Sequence, residues 1–289
     1  MAKFITNETK PGKGISKDEP QKRRFFLFFE LFFSKIGKLM SLNFLYSLFL
    51  TPLLTGVFLS FDFNSNITSV ADFAKMQVFT FAPDYIALAL LVVSVFVTGP
   101  ATAGFVFVLR NLQRREHAWI FSDFWAQFKK NYWQGVLVGC IDTIAYIALY
   151  IAFGFYMFVM PVDMPELGTF MPNVASGIII LVTMIFTWTH YYIYTMMVTF
   201  ELKIKDLFKN AFLFALGKMP LNLFITAIIA LIIVGFVYLY ALSVVAVAIV
   251  VTLIAFSLIG FIVVFSSYPT IDKLMLKRVE EKSKRILKY

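Results

Sequence analysis

Charge is nearly missing from most of this chain. Asp, Glu, Lys and Arg make up 15% of its 289 residues, and the stretches 39–61, 85–109, 167–200 and 219–271 contain none of them. So little polar surface cannot cover a soluble globule, which excludes that class. Cysteine is scarcer still. Cys140 stands alone, so an intrachain disulfide and a multi-cysteine metal site are both excluded. The two histidines, His117 and His190, lie far apart in sequence and neither has a partner at metal-ligand spacing; no metal and no cofactor is expected. Also missing are the Gly-x-Ser-x-Gly turn, the His-Glu-x-x-His helix and a Walker-type loop. The chain reads as a protein that is not an enzyme.

What is present is apolar length. The composition is 60% hydrophobic and 18% aromatic, with a mean hydropathy of +0.80. A bilayer core of about 30 Å takes about 20 helical residues to cross, and the uncharged stretches pass that measure. The run 219–271 would be about 80 Å long as a single helix at 1.5 Å per residue, so it divides into two spans with a turn near 238–243. The stretch 134–158 is one more span, interrupted by Asp142 alone. The reading is an all-α membrane protein, a bundle of six transmembrane helices at about 41–60, 85–109, 134–158, 175–199, 219–238 and 243–266.

Lys and Arg then set the orientation. Nine precede the first span, five lie between spans two and three, four between four and five, and seven after six, whereas the remaining gaps hold Lys75 alone. Positive residues collect on the cytoplasmic side, so both termini are expected inside. The net charge of +9 suits a cytoplasmic face against anionic lipid rather than nucleic acid. Residues 1–24 read as a disordered basic tail without a cleaved signal, 25–268 as the membrane domain, and 269–289 as a basic cytoplasmic tail.

Three cytoplasmic segments repeat aromatic residues at helical spacing just ahead of an outward-going span. They are Phe25, Phe29, Phe32, Phe33 and Ile36; Phe121, Phe124, Trp125, Phe128 and Tyr132, with Ser122 or Asp123 as helix cap; and Ile204, Leu207, Phe208, Ala211 and Phe212. Basic neighbours flank each stripe, which suits a helix lying in the membrane interface as well as one packed on the bundle. Gly37-Lys38 leading to Asn43 rhymes with Gly217-Lys218 leading to Asn222, as a threefold repeat of one amphipathic helix plus two spans would.

A charge inside a span is costly and normally faces protein or water. Asp142 and His190 both fall about 12 to 14 Å deep, on helices joined by a short loop, and are expected to face each other. With Tyr191 and Tyr194 they form the candidate buried polar or ligand site; the alternative is an interhelical hydrogen bond that orients the bundle. Trp188 and Tyr192 belong to the same cluster, read either as a sugar-stacking lining or as packing. Thr98, Thr102 and Ser257 sit at similar depth and would extend a polar layer. Gly99, Pro100, Ala103 and Gly104 let another helix approach, with Pro100 as a candidate kink. Arg110, Arg114 and Arg115 close the second span as lipid-headgroup anchors.

The order Phe32-Phe33-Ser34-Lys35-Ile36-Gly37-Lys38-Leu39 running into Leu42-Asn43, then Thr51-Pro52-Leu53-Leu54-Thr55-Gly56, then Gly99-Pro100-Ala101-Thr102-Ala103, resembles the YesL-like family of bacterial membrane proteins. The likeness continues through Phe121 to Trp133 and fades beyond about Lys218; the basic tail and the long loop 61–84 depart from it. That family is a domain of unknown function with no catalytic residues to carry over. The resemblance implies a bacterial plasma-membrane setting and, from the genes its members lie near, carbohydrate uptake and utilisation. The expected function is an accessory or regulatory component acting through another membrane protein, such as a part of a sugar transporter. The alternative is a small secondary transporter with its site around Asp142 and His190. Membrane lipid is the other expected partner, and homo-oligomerisation is left open.

Overall fold

A computed structural model describes residues 23–60, 84–164, 166 and 168–276, and the acidic stretch 61–83, most of the basic N-terminal tail and the C-terminal 277–289 lie outside them. Nine main helices follow one another among the described residues. They are α1 (Arg24–Ser34), α2 (Ile36–Ser60), α3 (Tyr85–Gln113), α4 (Ile120–Lys130), α5 (Tyr132–Val159), α6 (Phe170–Met197), α7 (Ile204–Gly217), α8 (Met219–Leu242) and α9 (Val244–Met275). Six of them, α2, α3, α5, α6, α8 and α9, are long and apolar enough to cross a membrane. α9 runs past residue 268, so the first residues read as tail are helical. The expected turn after 238 falls at Ser243, which leaves the helix with extended backbone and caps α9 through its hydroxyl on the Ala246 N–H.

The three short helices, α1, α4 and α7, each lead into a hairpin of long ones. One residue makes each joint: Lys35 (φ −114°, ψ 13°), Asn131 (φ −103°, ψ 18°) and Lys218 (φ −120°, ψ 27°). Its N–H closes the last turn of the short helix, and its carbonyl accepts the first bond of the long one, at 2.9 Å from Leu39, 2.7 Å from Gly135 and 2.9 Å from Asn222. The repeat thus lies in backbone geometry. The sequence rhyme is out of register with it, since Asn222 follows its joint by four residues and Asn43 by eight.

Contacts between the connections place α1, α4 and α7 at one end of the bundle, called here the collar end. Lys38 reaches the Ala118 carbonyl at 3.2 Å, Gln134 the Leu202 carbonyl at 2.7 Å, and Arg24 the Phe265 carbonyl at 2.8 Å. Each short helix turns one face inward. Phe28 of α1 meets Phe261 and Phe265 of α9, both at 5.4 Å between ring centres, Phe124 of α4 is buried, and α7 buries Leu207, Ala211 and Ala215. The other face stays exposed, with Phe25, Phe33, Phe121 and Phe212 outward. One face of each stripe is therefore packed on the bundle, and the other is left uncovered by the described residues. α4 is capped by neither Ser122 nor Asp123: it begins after Trp119, whose N–H is held by the Asp123 carboxylate at 2.9 Å.

The core sits toward the collar. Buried side chains run from Gly99 to Leu112 on α3, Gly135 to Gly139 on α5, Trp188 to Met197 on α6 and Ala255 to Ile271 on α9. Glycine makes the tightest approach. A Cβ on Gly135 would stand 2.6 Å from the Pro100 nitrogen, and one on Gly99 would fall on the Gly135 carbonyl, so α3 and α5 touch backbone to backbone. On another side of α3, a Cβ on Gly104 would come 2.6 Å from the Phe124 carbonyl of α4. α3 passes through Pro100 without a break. Because Phe124 is enclosed and Phe121 is not, Phe124→Leu is expected to lower stability by about 1 kcal/mol, and Phe121→Leu to leave it unchanged. Thermal unfolding in mild detergent checks the pair.

Candidate functional site

α5 and α6 pack as an antiparallel pair, and Asp142 and His190 meet between them. His190 Nε2 lies 2.6 Å from Asp142 Oδ1, and His190 Nδ1 lies 2.8 Å from the Phe186 carbonyl one turn back. A carbonyl can only accept, so Nδ1 carries a hydrogen. The short contact on the other side then needs a second proton between Nε2 and the carboxyl. Whether that proton rests on nitrogen or oxygen, the couple as a whole is neutral. A neutral couple is the cheapest form in which such groups enter a bilayer. The side chains are 15% and 19% exposed, His190 and Asp142 respectively. Phe186 lies 4.6 Å from the imidazole and Phe208 of α7 6.4 Å, between ring centres.

The tyrosines expected beside the couple are divided. Tyr191 turns to α8, where its hydroxyl lies 3.0 Å from that of Thr226, which also accepts from Trp188 Nε1 at 2.8 Å. Tyr192 is fully buried and donates to Asn222 Oδ1 at 2.7 Å. These rings join α6 to α8. Tyr194 stays between the two core clusters, within electrostatic reach of Asp142. Tyr146 was not foreseen; its ring packs edge-on to Phe186 at 5.2 Å and its hydroxyl lies 3.4 Å from that of Thr187.

The wider polar layer does not form around Asp142. Thr102 bonds Tyr46 at 2.8 Å, and Ser257 donates to the Leu39 carbonyl at 2.8 Å. Ser257 instead belongs to a second polar knot built on Asn43, which is fully buried. α9 contains a widened π-turn at Val251–Ala255. Asn43 Nδ2 donates to the Val251 and Thr252 carbonyls at 2.9 and 2.6 Å, while its Oδ1 accepts from the Ser257 N–H at 2.9 Å. One amide thus serves backbone groups that the widened turn leaves outside the helical ladder. Asn222, also fully buried, does different work: it donates to the Ala215 carbonyl at 2.9 Å and so ties α7 to α8. An asparagine within a span was the available signal for both.

Of the three arginines expected at headgroups, Arg110 is 8% exposed. Its guanidinium holds the Val198 carbonyl at 2.7 Å, the Thr199 hydroxyl at 3.1 Å and Asn111 Oδ1 at 3.2 Å, and lies over the Phe107 ring. It fastens the end of α3 to the end of α6. Arg114 pairs with Glu116 at 2.8 Å, and Arg115, with φ 58°, with Glu30 at 3.3 Å; both remain half-exposed at the collar. Gly99, Pro100 and Gly104 lie at the close contacts already described, and Ala103 is buried against the α6 and α7 cluster. No group of three His, Cys, Asp or Glu among the described residues could hold a metal ion.

No curated protein and no solved structure matches the chain. Residues 39–153 match a family described as "Protein of unknown function, DUF624". The match takes in Asn43, Gly99, Gly135 and Asp142 but ends before His190. Over its first three spans, then, this integral membrane protein is similar to a family of unknown function.

Proposed function

We propose that the protein is an accessory or regulatory component of carbohydrate uptake and utilisation in a bacterial plasma membrane, acting without catalysis of its own by gripping another membrane protein. The collar end and both termini face the cytoplasm in this reading, as the distribution of Lys and Arg favours. The observation that carries it is α8. Only 6% of its most apolar window lies inside the protein, and beyond its hydrogen-bonded collar third it presents Leu231, Val234, Val237 and Tyr238 outward. Most buried contact of the bundle is made without that face, which leaves it for a neighbour in the membrane. The sugar connection is supported by the YesL-like resemblance. Gentle-detergent purification with mass spectrometry is expected to recover a sugar-transporter component. Val234→Trp with Val237→Trp should lose that component at unchanged abundance of the protein. Recovery unaffected by the double variant would refute the assignment to α8, and no transporter component at all would refute the role.

The Asp142–His190 couple favours a second reading, a small secondary transporter. Ligand-dependent flux in vesicles holding this protein alone, lost in Asp142→Asn, would replace the first reading with it.

A further inference from the structure

The couple is one end of a line of polar groups along the α5–α6 seam. On α5, Asp142, Tyr146 and Tyr150 recur every fourth residue, and on α6, His190, Thr187, Thr183 and Ser176 are spaced by three, four and seven; both sets keep to one helix face. The contacts Asp142–His190 and Tyr146–Thr187 fix the antiparallel register. Every step of four residues along α5 away from the collar is matched by about four back along α6. Tyr150 therefore comes level with Thr183, and Ser176 lies near the π-turn Phe155–Val159 that ends α5.

Two hydroxyls in this line stand out. Thr183 and Thr187 donate to carbonyls four residues back, at 2.8 and 2.9 Å, the usual outlet for a helical hydroxyl in a span. Ser176, 4% exposed, does not, and neither its hydroxyl nor that of Tyr150 has a partner, although both atoms are buried. Buried polar atoms left so by the protein are where internal water bonds.

We propose that the α5–α6 seam is a hydrated file for protons, leading from the end opposite the collar to Asp142 and His190, with the proton as ligand and water as its carrier. Ser176, Tyr150, Thr183 and Thr187 hold the water, and the couple is the acceptor. A hydronium arriving there passes its proton to the couple, leaving water in the file and an imidazolium beside a carboxylic acid; return of that proton to water restores the neutral couple. Among the described residues, the titratable groups near the couple are Tyr146 of α5, whose ring lies 6.3 Å from the imidazole, and Tyr194 of α6, in electrostatic reach of Asp142; the Phe186 and Phe208 rings beside it are uncharged. The inference deepens the transporter reading and rests on the couple being a working site.

Thiol labelling tests the file. In a Cys140→Ala background, Thr183→Cys and Thr187→Cys lie on the seam, while Leu181→Cys and Val182→Cys point outward at exposed positions of α6. An impermeant methanethiosulfonate is applied to intact cells and to inverted vesicles, and Met164→Cys, in the α5–α6 connection, reports which side is the far side. Because only a hydrated thiol ionises readily, the seam thiols should react at least about tenfold faster than the outward pair, from the Met164→Cys side. Equal rates on and off the seam overturn the file, and reaction only from the other side overturns its direction. His117→Gln leaves His190 as the sole histidine, so ¹⁵N-histidine resonance in vesicles reads the proton directly. With ¹³C-labelled aspartate carboxyls added, the His190 ring or the Asp142 carboxyl signal should follow pH on the Met164→Cys side; no response of either from that side overturns the proton assignment. Reactive seam thiols without flux would defeat the transporter reading and leave the file standing.

Discussion

His190→Leu is expected to cost about 3 kcal/mol of stability, because it leaves a carboxyl in a bilayer span with its partner gone. Asp142→Leu should do similar harm from the other side. The double variant, Asp142→Leu with His190→Leu, should be more stable than either single one, since apolar groups packed together need no partner. Asp142→Asn separates structure from chemistry. Nδ1 is committed to the Phe186 carbonyl at 2.8 Å, so Nε2 can accept from the asparagine amide, and the bond survives at a cost under about 1 kcal/mol. What asparagine removes is the exchangeable proton. Thermal unfolding of the four variants decides the matter: single variants no worse than the double would mean that the 2.6 Å contact carries no coupling energy. A stable Asp142→Asn protein that fails in the cell would make the couple a working site.

Gly99→Leu should be at least as severe. Its side chain would enter the Gly135 carbonyl, and a Cβ on Gly135 would in turn stand 2.6 Å from the Pro100 nitrogen of α3. Backbone cannot step aside as a side chain can, so the helices must part and the packing around them is lost. The expected cost exceeds about 3 kcal/mol, seen as a collapse in folded yield. Gly135→Ala should fail in the same manner. Gly177 and Gly235 are the controls, because a Cβ at either meets nothing within 4 Å. Alanine there should be neutral or better by about 0.5 to 1 kcal/mol, the helical advantage of Ala over Gly. Similar yields for all four variants would disprove the close approach of α3 and α5.

Much of the architecture was legible because uncharged length answers to the bilayer rather than to tertiary detail. The six long helices carry the uncharged stretches, and the stripes of α1, α4 and α7 follow from helical period. The meeting of Asp142 and His190 followed from depth and a short connection. Partner choice was not legible. Tyr191 and Tyr194 are near neighbours in sequence, yet one faces Thr226 on α8 and the other lies between the two core clusters, a matter of angle around the helix that needed α8 in place. Arg110 looked like Arg114 and Arg115 because a boundary arginine has the same neighbours whether it faces lipid or the end of α6. The Asn43 knot depends on a π-turn more than 200 residues away, and that turn has no proline or glycine to announce it: its sequence is Val251-Thr252-Leu253-Ile254-Ala255.

That separation bears on how the protein is made. Asn43 leaves the ribosome well before its acceptor on Val251, which is 208 positions behind it. At 5 to 20 residues per second, synthesis of that interval takes about 10 to 40 s. Throughout it a polar amide sits in the first hairpin with its final partners not yet translated, and an unmet amide in hydrocarbon invites other partners. The hairpins that hold Asn43 and Val251 must therefore close on each other after the one between them is already inserted, so a nascent chain halted before Val251 should be the form that membrane proteases and insertion factors recognise.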